Sequence, residues 1–180
     1  MSAKEKLILA IEHLLSKKKL DEITVTEIVS EASLCRKTFY RNFTDKYDLT
    51  DYYFKQFFEN SFGQIICGKD FDTALLRYLE ICESKADILL NAYSSTDVNG
   101  LRNYDIESTR RAYEKYLLEK GADIYAPEMK FAIEIAVRGG TDMIIEWLLN
   151  GMKEDKKTLQ ILIKRTLPND LLKYLEQMPE

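Results

Sequence analysis

Eight consecutive residues, Arg36-Lys37-Thr38-Phe39-Tyr40-Arg41-Asn42-Phe43, interleave cations and hydroxyls with aromatic rings. Wound as a helix at about 100° per residue, they put Phe39 and Phe43 on one side. Lys37, Tyr40 and Arg41 take roughly the opposite arc, with Arg36 at its edge. Such a segment anchors through its rings and offers guanidinium, ammonium and hydroxyl groups outward. Those groups suit phosphate oxygens and the base edges of a duplex groove. An Arg-Lys pair alone is usually a solvated helix face, so the reading depends on the elements around it.

Those elements follow one another within about fifty residues, as a helix-turn-helix requires. From Lys4 to Lys18, Leu7, Ile8, Ile11, Leu14 and Leu15 recur at three- and four-residue intervals and predict an amphipathic helix. Lys17-Lys18-Lys19 crowd its end, where cations suit both the helix dipole and a nearby phosphate. Thr24-Val25-Thr26-Glu27 has the pattern of a capping box and opens a second helix carrying Ile28, Val29 and Ala32 inward. This helix stops near Ser33, and a three-residue turn delivers the chain to Arg36. Thr44 or Asp45 then caps a longer helix, Lys46 to about Gln64, with Gly63 and Gly68 framing its exit.

The rest of the 180 residues reads as further helices: about 71–83, 85–93, 101–120, 128–150 and 153–166, with a short piece after Pro168. Breaks fall at Ser94 to Asp97, at Gly121 and Pro127, and at Asn150-Gly151. No strand is expected. The fold class is all-α: an N-terminal three-helix DNA-binding domain over residues 1–48, and a larger helical domain over 49–180, the candidate for dimerisation and ligand sensing.

Bulk properties exclude several other functions. A hydrophobic content of 46% with three prolines is enough for a real core. No apolar run approaches the roughly 20 residues of a spanning helix, and the first residues lack a secretory signal, so a cytoplasmic protein without membrane contact is expected. Cys35, Cys67 and Cys82 are widely spaced and His13 is the single histidine, which supports neither a disulfide framework nor a metal site. No cofactor is expected. Cys82 lies near Glu80 and Glu83, but no Gly-rich phosphate loop or nucleophile-base pairing accompanies it, so catalysis is not expected. The net charge is −4, yet residues 1–50 carry nine Lys or Arg against eight Asp or Glu, while the remainder carries seventeen against twenty-two. Affinity for DNA must therefore come from a few well-placed cations. A helical protein-interaction module, whose basic helix binds an acidic partner and not specific DNA, is the competing reading.

Three stretches, Thr24-Val25-Thr26-Glu27-Ile28, Ala32-Ser33-Leu34-Cys35 and Thr38-Phe39-Tyr40-Arg41-Asn42-Phe43-Thr44-Asp45-Lys46-Tyr47-Asp48-Leu49, resemble the TetR family of bacterial transcriptional regulators. The resemblance implies an all-helical homodimer that binds an approximately palindromic double-stranded DNA operator and often answers to a small-molecule or protein effector. It implies that Tyr40 and Lys46 hold phosphates, that Arg36, Lys37 and Thr38 face the major groove, and that Phe39, Phe43 and Leu49 are structural. Arg41 lies on the same outward face. Ser33 stands where the family usually has Gly, and Thr26 where a basic side chain is frequent, leaving a hydroxyl able to donate.

The second half predicts an interface. Phe131, Ile133, Ile135, Val137, Met143, Ile144, Ile145, Trp147, Leu148 and Leu149 cannot share one stripe of a helix, so two partners are needed, one of them a second copy of the chain. Candidate interface residues are Phe131, Ile135, Gly139, Gly140, Met143, Trp147, Leu159 and Leu162. Gly139-Gly140 fits close backbone approach, or alternatively a helix break. The run Gly139 to Gly151 resembles the C-terminal region of a TetR branch that includes regulators related to the dihydroxyacetone kinase operon activator. Candidate pocket residues are Phe58, Phe62, Tyr78, Cys82, Tyr93, Tyr113 and Trp147, although aromatic residues at helical spacing are more often core.

Overall fold

A computed structural model of the chain describes residues 1–59, 70–96 and 100–175. Among them are ten α-helices, one 3-10 turn and no strand. The helices are α1 (Ala3–Leu15), α2 (Val25–Glu31), α3 (Arg36–Asn42), α4 (Lys46–Glu59), α5 (Phe71–Ser84), α6 (Ala86–Tyr93), α7 (Leu101–Glu119), α8 (Pro127–Leu149), α9 (Lys156–Arg165) and α10 (Asn169–Leu175). The all-α expectation holds. The expected exit of α4 at Gly63 and Gly68, together with Phe62 and Cys67, lies outside the described residues.

Packing divides the chain into two compact units, Met1–Gln56 with Lys85–Tyr104, and Phe57–Ser84 with Asp105–Glu180. The boundary expected after residue 48 falls inside α4, and α6 joins the first unit.

The first unit is built on the α1 stripe. Leu7, Ile11 and Leu15 are fully buried, together with Leu20, Ile28, Phe39 and Leu49. α1 opens with its own capping box, Ser2 and Glu5 bonding each other's amides. Lys18, within the basic run after α1, gives its ammonium to Glu27 at 2.5 Å and to the Glu22 carbonyl at 3.1 Å. His13 sits on the surface, with Nδ1 2.7 Å from Glu31 Oε1. α6 lies along α1 and buries Ile88, Leu89 and Ala92. Three polar ties hold it there: Lys85 Nζ to Glu12 at 2.6 Å, Asn91 Nδ2 to the Leu15 carbonyl at 2.8 Å, and Ser95 Oγ to Asp21 Oδ1 at 2.6 Å.

In the second unit α5 packs on α8 and α9, and α10 packs on α8. Lys164 Nζ meets Asp72 at 2.7 Å and Lys156 Nζ meets Glu83 at 2.7 Å, binding α9 to α5. Arg110 joins α7 to Glu134 of α8 at 2.5 Å. α9 starts at Lys156, three residues later than its hydropathy suggests, because Asp155 accepts from the amides of Lys157 and Thr158 and fixes the first turn there. α8 runs unbroken through Gly139-Gly140, which removes the helix-break alternative.

Candidate nucleic-acid interface

The expected capping box opens α2. Thr24 Oγ1 accepts from the Glu27 amide at 3.2 Å, and Glu27 Oε2 accepts from the Thr24 amide at 2.9 Å. The Lys18 ammonium, helped by the Thr24 donors, holds the Glu27 carboxyl down at about 2. The start of α2, and with it Thr26, is therefore firmly placed.

The end of α2 sets the angle at which α3 leaves. The Leu34 amide reaches back to the Val29 carbonyl at 2.8 Å and the Ser33 amide to that of Ser30 at 3.1 Å, with Ser33 at φ 53°. That closure needs a left-handed residue. α7 ends in the same way at Gly121, φ 78°, with Ala122 bonded to Leu117 and Gly121 to Leu118. Ser33 thus keeps the turn geometry that a glycine would give, and its Cβ makes that geometry costlier.

α3 presents the face drawn from the sequence. Phe39 and Phe43 are buried, whereas Arg36, Lys37, Tyr40 and Arg41 are exposed, Tyr40 to 58%. Phe39 meets the Tyr40 ring edge-on, centroids 5.3 Å apart, so the phenol projects from a buried support. Thr38 is half-buried. Its hydroxyl lies 3.4 Å from Cys35 Sγ, and that hydroxyl and the Thr38 amide lower the thiol's pKa. Asn42, which the sequence did not single out, donates to the Thr38 carbonyl at 2.7 Å and closes the helix on itself.

Charge placement on α3 opposes the helix dipole. Arg36 and Lys37 open the helix, its first turn holds no acid, and Cys35 gives no side-chain cap. Cations at this end are unfavourable by about 0.3–1 kcal/mol each. An arriving anion reverses that sign. Among the described residues none pairs with Lys37 or Arg41. Arg36 reaches across to α2, where Nη2 donates to Thr26 Oγ1.

Lys46, expected to hold a phosphate, is engaged within its own unit. Its ammonium donates to the carbonyls of Leu20 at 2.8 Å, Asp21 at 3.1 Å and Ile23 at 2.9 Å. The three N–H groups thereby clamp the start of α4 onto the 3-10 turn Leu20–Glu22. The spacing of Lys46 in the sequence shows a cation near the site, but a cluster of inward-facing carbonyls is a tertiary feature with no sequence signal. Lys4 was likewise invisible as a contributor. Its ammonium sits 3.6 Å from the Tyr52 ring centroid and 5.5 Å from that of Phe43, bracing α1 against the end of α3 and α4.

The interface candidates divide. Phe131 (70% exposed), Ile135 (50%) and Met143 (52%) lie on the outer side of α8 with Gly139, and Leu162 is exposed on α9. An added Cβ at Gly139 or Gly140 would meet nothing within 4 Å. Trp147 and Leu159, by contrast, are buried in the second unit's own core, where the Trp147 indole donates to the Glu154 carbonyl at 2.7 Å. Their size and hydropathy do not distinguish core from interface; only their angular position on the helix does. Leu149 and Ile161 extend the exposed apolar surface instead.

Three of the seven pocket candidates are core side chains of the second unit. Cys82, Tyr113 and Trp147 are buried, and burial pushes the Cys82 thiol and the Tyr113 phenol well above their ordinary values. Tyr78 is half-buried and donates to the buried Asp105 carboxylate at 3.2 Å. Phe58 is half-buried on α4, and Tyr93 belongs to α6 in the first unit.

Residues 69–169 match a family described as a transcriptional regulator C-terminal region. No curated protein matches the chain. Among solved structures, the dihydroxyacetone kinase operon activator DhaS superposes with a TM-score of 0.64 at 15% identity, covering 97% of this chain and 96% of that one. RolR without ligand gives 0.57 at 16% identity, covering 98% of both chains. NalD, the secondary repressor of the MexAB-OprM multidrug efflux pump in Pseudomonas aeruginosa, gives 0.54 at 17%, covering 92% and 94%. At such identities the likeness is one of fold.

Proposed function

The chain belongs to the TetR family of transcriptional regulators, and from that premise we propose that it works as a homodimer that reads an approximately palindromic DNA operator with α3. Its relatives in the family are regulators, not enzymes. One observation carries the reading: α3 holds Lys37, Tyr40 and Arg41 outward on a base of buried Phe39 and Phe43, with cations at the helix end where only an incoming anion favours them. Arg41 supplies charge for phosphates, Tyr40 a phenolic donor for backbone register, and Arg36, Lys37 and Thr38 the groups that face base edges. The exposed stripe of Phe131, Ile135, Gly139 and Met143 supports pairing of two copies through α8.

Selection of bound sequences from random DNA, followed by titration of the winner at several salt concentrations, tests this. The expected result is two inverted half-sites with centres about one helical turn, roughly 34 Å, or more apart. R41A should weaken binding to all sequences and lower the salt slope by about 1. Enrichment of no sequence, or a slope untouched by K37A and R41A together, would overturn the reading.

A further inference from the structure

We propose that Thr26 is a specificity-determining positioning residue, whose hydroxyl aims the Arg36 guanidinium at one base pair of each half-site. This inference rests on the DNA-reading function proposed above. Arg36 Nη2 donates to Thr26 Oγ1 across the helix-turn-helix, from the first residue of α3 to the second of α2. A guanidinium has no acceptor, so the threonine oxygen must be the accepting partner, and its own hydrogen stays free to point elsewhere.

The choice of partner matters. Other basic side chains of this unit meet carboxylates: Lys18 with Glu27, His13 with Glu31 and Lys85 with Glu12. A carboxylate would orient Arg36 and also cancel its charge. A hydroxyl orients it and leaves the charge for DNA.

The acceptor is also rigid. Thr26 lies inside the Thr24 and Glu27 capping box, and Glu27 is pinned by Lys18. Without that anchor, a long side chain at the exposed start of α3 would sweep several positions. With it, one N–H of five is engaged and enough remain for the two-pronged grip on the O6 and N7 of guanine, the commonest specific contact of arginine in the major groove. Thr26 itself need not touch a base.

The test is a random-DNA selection run in parallel on the wild type, R36A, T26V and T26S. Thr26 is exposed, so these variants keep the fold. R36A should lose the preference at one symmetry-related base of each half-site. T26V should lose about tenfold of the discrimination at that same base, with other positions unchanged, and T26S should restore it. A T26V profile equal to wild type at the base that R36A loses would overturn the inference alone. So would a uniform fall in affinity with an unchanged profile, which marks Thr26 as a plain backbone contact. A wild type that selects no sequence at all would remove both this inference and the regulator reading beneath it.

Discussion

Single side chains decide how well the helix-turn-helix is made, and two of them give direct measurements. Ser33 holds φ 53° in the turn, where the same closure elsewhere in the chain uses Gly121. Replacing it by glycine removes the clash of Cβ with the backbone but adds freedom to the unfolded chain. The first effect is the larger, so S33G should raise unfolding free energy by roughly 0.5–1 kcal/mol in urea titrations. G121S should lower it by a similar amount. A neutral or destabilising S33G would show that the left-handed residue carries no penalty here. Glu27 titrates with a carboxyl lowered from 4.5 to about 2 by Lys18 and Thr24. Its contribution is fully present above the unfolded value and is lost as pH falls from about 4.5 through about 2. Melting temperatures of wild type and E27Q should therefore differ at neutral pH and converge across that window. Parallel curves down to the acid end would contradict the assignment.

At the scale of elements, local chemistry made most of the fold legible in advance. Capping residues, glycine exits and three-to-four spacing placed α1, α2, α3 and α5 to α8 within a few residues, because each signal acts between neighbours in the chain. Asp155 shows the limit, since a strong cap overrode an apolar pattern that suggested an earlier start of α9. What the sequence did not reveal is non-local. Nothing in the composition of 85–104 marks it as part of the first unit, yet α6 covers α1 there and ties to Glu12, Leu15 and Asp21. Lys46 is the sharpest case. Its type and spacing suited a phosphate, and its carbonyl partners come from 23 to 26 residues away. As a clamp between α4 and the 3-10 turn, it is half-buried and gives its N–H groups to three carbonyls, of which that of Leu20 also accepts the Ile23 amide, so K46M removes three charge-assisted bonds and should cost about 2 kcal/mol of stability. Hydrogen exchange should speed up around residues 20–23. K37A, on an exposed face with no partner among the described residues and at the helix end where a cation is unfavourable, should leave stability unchanged or raise it by up to about 1 kcal/mol, so the two lysines separate a structural cation from the one proposed to face DNA. Equal stability losses in both would refute that division.

At the scale of the whole molecule, the outer face of α8 is the feature a lone protomer does not account for. Phe131, Ile135, Gly139 and Met143 follow at four-residue steps, and the inner face of the same helix is already filled by Ile133, Val137, Ile144 and Trp147. Exposed apolar groups arranged this way gain free energy when a second copy covers them. Gly139 makes the prediction sharp. An added Cβ there meets nothing in its own protomer, and a larger residue should strengthen α8 by up to about 1 kcal/mol through helix propensity. In isolation, then, G139L should be at least as stable as the wild type. If two α8 helices approach closely at this point, the same change separates them. Sedimentation equilibrium should report a dimer for wild type and a shift toward monomer for G139L, and a complete shift for I135K, with helical circular dichroism unchanged in both. Loss of the pair should weaken binding to a palindromic operator by about 100-fold or more, because each half-site must then be bound without the effective concentration its twin supplies. Binding to a single half-site should be unaltered. Dimers that persist in G139L and I135K would move the interface off this face of α8, and unchanged operator affinity in proven monomers would deny that pairing matters for recognition.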